Sequence, residues 1–172
     1  MSTLLAEPAS TSAAFDPDQQ RAAVRRVLAR SSFCTLATSS AAGAAHVVGV
    51  LYAAVDGVLY VNTSETSVKV RNIRANPRVA VCIPVRRLPF FPPSCVQFQG
   101  TADILAPDDP HIVALLEAGR LRPITSHGEL DLPGCCFLRI TPSRRISSFG
   151  IGMGVRQLLR DPLGAGRTVE LA

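Results

Sequence analysis

The run VLYVNTSETSVKVRNIRANPRVAV, residues 58–81, decides how the rest of this chain is read. It opens as a strand, with Val58, Tyr60 and Asn62 facing one way and Leu59, Val61 and Thr63 the other. Four hydroxyl side chains follow, Thr63, Ser64, Thr66 and Ser67. The spacing then predicts a short helix over about Ser67 to Ala75, with Val70 and Ile73 as its apolar side. Asn76-Pro77 ends it, because the residue before a proline is pushed out of the helical region. A second strand leaves at Arg78 with Val79, Val81 and Ile83.

The chemistry of that junction follows from backbone electrostatics. A helix N-terminus presents unpaired N–H groups and a partial positive charge. Here hydroxyls surround it, and Lys69 and Arg71 follow at once, a setting suited to a phosphate. Lys69 is the single lysine against 17 arginines among 18 basic residues, so generic solubility explains it poorly. A capped amphipathic helix with a solvated basic face fits the same spacing, and the spacing leaves both readings open.

Outward from this run, Phe33 to Thr38 reads as a strand, SSAAGA as a turn, and about Ala45 to Val55 as a second strand. Asp56-Gly57 is a two-residue hairpin signal that pairs this strand with Val58–Thr63. Strands are also expected at Arg78–Val85, at Cys95 to about Leu105, and at Cys136–Ile140, the last continuing through Ile146–Phe149. The segment 86–94, RRLPFFPPS, is too proline-rich for a central strand and reads as a loop carrying Phe90 and Phe91. Helices are expected after the cap Asp16-Pro17, with Val24, Val27 and Leu28 inward, and after Asp109-Pro110, with Ile112, Leu115 and Leu116 inward. Residues 120–134 read as irregular. The sum is a mainly β fold: six or seven antiparallel strands in a small barrel with a few helices. Its expected divisions are a disordered tail over 1–14, the barrel domain over 15–150, and a C-terminal tail over 151–172 with a short helix at Val155–Arg160. The glycines at 150, 152 and 154 lack the spacing, the following strand and the acidic residue of a dinucleotide loop.

Composition narrows the function. At 172 residues, one domain with a substantial core is the default, and 47% hydrophobic residues argue against disorder. A net charge of +5 favours an anionic partner. Two tyrosines, no tryptophan and no stacking pattern argue against nucleic acid. Five cysteines without a C-x-x-C motif read as reduced thiols, so a cytoplasmic setting is expected. No signal peptide is read at the start, and the apolar stretch from Ala41 to Val55 is too short for a bilayer, so no membrane partner is expected. His46, His111 and His127 lack ligand spacing, so no metal is expected. No nucleophile–base order or carboxylate pair stands out, and the catalytic residues are unassigned.

The ordered set of 59–81 with FCTLAT (33–38), HVVGV (46–50) and VQFQGTA (96–102) resembles the pyridoxamine 5′-phosphate oxidase-like family, the FMN-binding split β-barrels, over about residues 17–150. The resemblance implies a homodimer with the flavin in a groove between subunits. It places Ser67 and Lys69 at the cofactor phosphate and Asn62 and Thr63 at the strand end beside it. It lays the backbone of Val48, Gly49 and Val50 along the isoalloxazine ring. Many relatives carry S-R-K at the phosphate helix; Ser67-Val68-Lys69 lacks one cation, which Arg71 or Arg74 is placed to replace. Cys95 stands where the vitamin B6 oxidase has a glutamine, and that enzyme's C-terminal arginine motif has no counterpart. The implied function is an FMN- or deazaflavin-dependent oxidoreductase moving hydride to or from a small-molecule substrate. Coenzyme F-420 is the alternative cofactor, its acidic tail suiting Arg71, Arg74, Arg78, Arg86 and Arg87. The competing functions are a non-catalytic flavin-binding or sensing protein and, more remotely, a basic nucleic-acid-binding barrel.

Overall fold

The structure is a computed structural model that describes residues 15–85 and 93–171. The 1–14 tail, Phe90 and Phe91, and Arg86 and Arg87 lie outside the described residues. The chain begins with α1 (Pro17–Arg30), capped by the Asp16 carboxylate, which accepts from the N–H groups of Asp18 and Gln19 at 2.8 and 3.3 Å. Then come β1 (Phe33–Ser39), β2 (Ala45–Leu51), β3 (Ala53–Val55), β4 (Val58–Ser64), α2 (Val68–Ala75) and β5 (Arg78–Val85). β6 (Ser94–Leu105), α3 (Pro110–Glu117), β7 (Cys135–Phe149), α4 (Val155–Arg160) and β8 (Gly166–Glu170) complete it.

All the strands join one antiparallel sheet in the order β2-β1-β5-β6-β7-β4-β3, with β8 added against β7. The sheet curls into a split barrel, and α1 packs Val24 and Leu28 into its core. The alternation read along β4 is realised: Leu59 and Val61 enter the main core, and Tyr60 enters a second cluster with Ile112, Leu121, Ile124 and Phe137.

Two differences raise the strand count to eight. The second strand breaks at Tyr52, whose N–H donates to the Ser32 carbonyl at 2.8 Å and whose buried hydroxyl donates to the Leu28 carbonyl at 3.1 Å. On one side of the break β2 pairs with β1; on the other β3 pairs with β4. The Asp56-Gly57 turn has φ of 51° and 85°, the left-handed pair that a tight hairpin needs. The second difference is β8. The segment over 151–172, read as a tail with a short helix, contains α4 as expected and also this strand, which buries Val169 and pairs with the end of β7. Five residues of mixed polarity are too short for a periodic signal.

β7 explains how one strand serves both halves of the barrel. It pairs with β6 along one edge, and along the other first with β4 and then with β8. The register against β6 slips between Phe98 and Gly100. A Cβ at Gly100 would stand 2.3 Å from the Thr141 carbonyl oxygen, so only glycine permits that crossing.

Candidate functional site

The corner between β4 and α2 is assembled from contiguous sequence. β4 ends at Ser64, which turns the chain through the Ser67 N–H donating to the Ser64 carbonyl at 3.1 Å. The Ser64 and Thr66 hydroxyls bond each other at 2.9 Å. Ser67 is the N-cap residue of α2, yet its hydroxyl caps nothing: Oγ is buried and without a hydrogen-bond partner. The N–H groups of Val68, Lys69 and Val70 precede the first intrahelical bond, Arg71 N–H to the Ser67 carbonyl at 3.1 Å. An unpartnered buried hydroxyl costs about 1–3 kcal/mol. A ligand oxygen at this helix end would relieve that cost and meet the helix amides.

Lys69 stands half-buried in the same turn. Burial lowers the pKa of its ammonium, opposed weakly by the Cys136 thiol. Among the described residues Lys69 forms no ion pair, so no protein carboxylate neutralises it. Cys136, paired with Thr63 across β4 and β7, is held as the neutral thiol, its pKa pushed up to about 11 chiefly by burial. The Asn62 amide donates to the Cys135 sulfur at 3.2 Å. Thr63, Ser67 and Lys69 therefore lie about one corner, while the Asn62 side chain, on the opposite face of β4, turns to Cys135 and the second cluster.

The two candidate replacement cations differ. Arg71 is exposed on α2. Arg74 faces Glu65: Nη1 donates to its carbonyl at 3.5 Å and Nη2 lies 3.9 Å from its carboxylate. Glu65 thus competes for the one arginine whose side chain turns toward the corner.

β2 approaches the same region through β1. Asn72 on α2 and Asn76, the C-cap that ends it, donate to Thr38 Oγ1 at 3.0 Å and Ser39 Oγ at 2.9 Å. Thr38 pairs with His46, two residues before Val48. In the sequence Asn76 is read only as the end of the helix and Asn72 has no assigned role, although their i,i+4 spacing was a usable signal. On β2, Val50 is buried and Val48 packs against the core, while Gly49 presents bare backbone outward. The Phe33 ring lies over Gly49, where a Cβ would stand 2.8 Å from it.

Cys95 is not at this corner. It sits at the start of β6 opposite Pro84 and Phe149, whereas the far end of β6, at Leu105, pairs with the Phe137 that also pairs with Asn62. Ten residues of strand, on the order of 33 Å, separate the two levels. Within one chain, the sequence-predicted residues divide into a phosphate corner and a separate position on the sheet. Among the described residues, no group of three histidine, cysteine or acidic side chains could hold a metal ion, and no helix is long and apolar enough to cross a membrane.

The sequence pattern of the pyridoxamine 5′-phosphate oxidase family matches residues 20–144. No curated protein matches the sequence. Among solved structures, a heme-binding protein from Mycobacterium smegmatis aligns with a TM-score of 0.69 at 17% identity, covering 91% of this chain and 60% of that one. This chain therefore spans less than two thirds of that relative's length. A heme storage protein from Vibrio cholerae aligns with a TM-score of 0.61 at 18% identity, covering 75% and 94%. Both likenesses are of fold. An FAD-binding protein from Mesorhizobium loti aligns with a TM-score of 0.58 at 26% identity, covering 73% and 90%.

Proposed function

This chain belongs to the pyridoxamine 5′-phosphate oxidase family, and from that membership we propose that it binds a flavin at the β4–α2 corner and moves hydride to or from a small-molecule substrate. The observation that carries the reading is the buried, unpartnered Ser67 hydroxyl beside the free first turn of α2 and the ammonium of Lys69. That donor set suits the terminal phosphate of FMN, which is our preferred cofactor; coenzyme F-420 is the alternative. The FAD-binding protein at 26% identity supports a flavin over other ligands.

A bound flavin supplies the redox chemistry. The chain's own residues hold and shield it. Ser67, Lys69 and the α2 amides bind the phosphate end. The exposed backbone at Gly49 offers a surface for the ring, and rotation of the Phe33 side chain uncovers it. Charge-assisted contacts to the phosphate contribute about 1.5–3 kcal/mol each.

The reading includes a homodimer in a cytosolic setting. Phe33, Val47 and Leu51 form an apolar row on β1 and β2, exposed by 46%, 62% and 53%, which a second copy would cover. Oxidation of pyridoxamine phosphate itself is not part of the proposal, because Cys95 replaces the glutamine of that enzyme. A non-catalytic flavin carrier is the second reading, favoured by the lack of an acid–base pair near Gly49 among the described residues.

The test is an absorbance spectrum of the purified protein and mass spectrometry of what heat releases. Flavin bands with FMN released support the proposal. A colourless protein that takes up coenzyme F-420 selects the alternative. A Soret band, or no uptake of either cofactor, overturns it.

A further inference from the structure

We propose that Cys82 and Cys95 form a two-coordinate site for a soft monovalent cation of the Cu(I) class. Both stand on the outward face of the sheet. β5 turns Val81 and Ile83 inward and Cys82 outward, and β6 turns Val96 inward and Cys95 outward. Cys82 pairs with Gln97 and Cys95 with Pro84, so the two are diagonal neighbours on adjacent antiparallel strands. Their thiols hydrogen-bond each other. Both are half-buried, and Cys82 lines a crevice of about 820 Å³ with Thr35 and Gln97, which gives a small ion a way in.

Spacing decides between a disulfide and a bridging ion. A disulfide needs Cβ atoms about 3.5–4.5 Å apart. Diagonal neighbours on antiparallel strands stand about 7–8 Å apart, somewhat less at Cβ, which is too far for a disulfide unless the backbone moves. An ion between the sulfurs closes that gap. Two metal–sulfur bonds of about 2.3 Å in line set the sulfurs about 4.6 Å apart, with each Cβ further out. Thiolates select soft cations. A tetrahedral zinc site needs more ligands, and among the described residues no group of three histidine, cysteine or acidic side chains supplies them. The segment 86–92, RRLPFFP, holds none of these residue types.

Each thiol releases its proton on binding, so two thiols and one cation give one bis-thiolate complex and two protons, with no electron transferred. Burial, then the neighbouring Cys95 thiol, raises the pKa of Cys82, so without an ion Cys82 rests as a neutral thiol rather than an unpaired charge. Val81, Ile83 and Val96 hold both strands in the main core beneath the pair, so the two sulfurs start preorganised. The inference does not rest on flavin binding, since Ser67 and Lys69 take no part in it.

Anaerobic titration of the full chain with Cu(I), in competition with the chromophoric chelator bicinchoninate, tests it. One ion per chain is expected, with the affinity unchanged in Lys69→Ala and in Cys136→Ser. Cys82→Ser and Cys95→Ser each weaken binding by more than about 100-fold, beyond what loss of an outer partner of a metal ligand costs. Circular dichroism checks that the variants fold. On the unaltered chain, equimolar hydrogen peroxide followed by mass spectrometry reads the spacing, and no disulfide between Cys82 and Cys95 is expected. A disulfide formed there, no competition with the chelator, full affinity in either serine variant at these two positions, or zinc bound as tightly as Cu(I) would each overturn the inference.

Discussion

The phosphate corner and the thiol pair bind opposite charges, on our reading, by opposite means. At the C-terminal end of β4, residues 63–69 suffice: a strand end, a hydroxyl-rich turn, the first turn of a helix and one lysine. The thiol pair draws one residue from each of two strands, Cys82 from β5 and Cys95 from β6. The first site is local, uses backbone amides and holds its cation half-buried. The second is tertiary and uses side chains only. A local site depends on the dihedral angles of a few residues; a tertiary one depends on the register that spaces its parts. That difference orders what perturbations should do.

The largest effect is expected from the core both sites share. Leu59 is fully buried in the middle of the main core. Leu59→Ala should lower folding stability by about 2–5 kcal/mol, measured by urea denaturation. It should weaken the phosphate corner more than the thiol pair, because β4 carries the corner and not the thiols; equal losses at both sites would erase the contrast.

Next comes Lys69→Ala, which should weaken FMN by about tenfold or more in a fluorescence titration, while Arg26→Ala and Arg144→Gln leave it unchanged. The same affinity in all three variants would remove the lysine from the corner.

A pH titration sharpens the distinction, because a half-buried lysine titrates earlier than a surface arginine. Burial lowers the Lys69 pKa below 10.5. Phosphate needs the charged form, so FMN affinity should be flat below that lowered value and fall as pH rises through it. In the ligand-free protein the sign reverses. The unfolded chain binds that proton more tightly, so this group makes stability rise between the lowered value and 10.5. Lys69→Arg should abolish both dependences, read by FMN titration and by denaturation midpoints.

The smallest effect belongs to Glu65, whose exposed pair with Arg74 should contribute less than about 1 kcal/mol to stability. Glu65→Gln frees Arg74 to face the corner and should tighten FMN by at most about fivefold. Weaker binding would mean that the glutamate helps to shape the site.

Local chemistry made much of this readable from the residues. The alternation along β4, the Asp56-Gly57 turn, the caps Asp16 and Asp109, and the end of α2 before Pro77 each rest on neighbours within four positions. Ser67 and Lys69 were legible for the same reason. The break at Tyr52 was not, because hydrogen bonds to Leu28 and Ser32 cause it, and nothing within residues 45–55 announces those partners. β8 was missed because its strand character comes from the free edge of β7. Cys95 was matched by resemblance to a glutamine position of the vitamin B6 oxidase, and only the register along β6 shows how far from the corner that position lies within one chain.

By itself, then, the sequence determined which segments are strands or helices and where an unneutralised cation meets a free helix end, because dihedral preference and capping act over a few residues. Only the tertiary structure decided that Glu65 holds Arg74, that Asn72 and Asn76 moor α2 to β1, and that Cys82 and Cys95 meet on one face of the sheet. Those outcomes depend on sheet order and register, which chain neighbours do not encode.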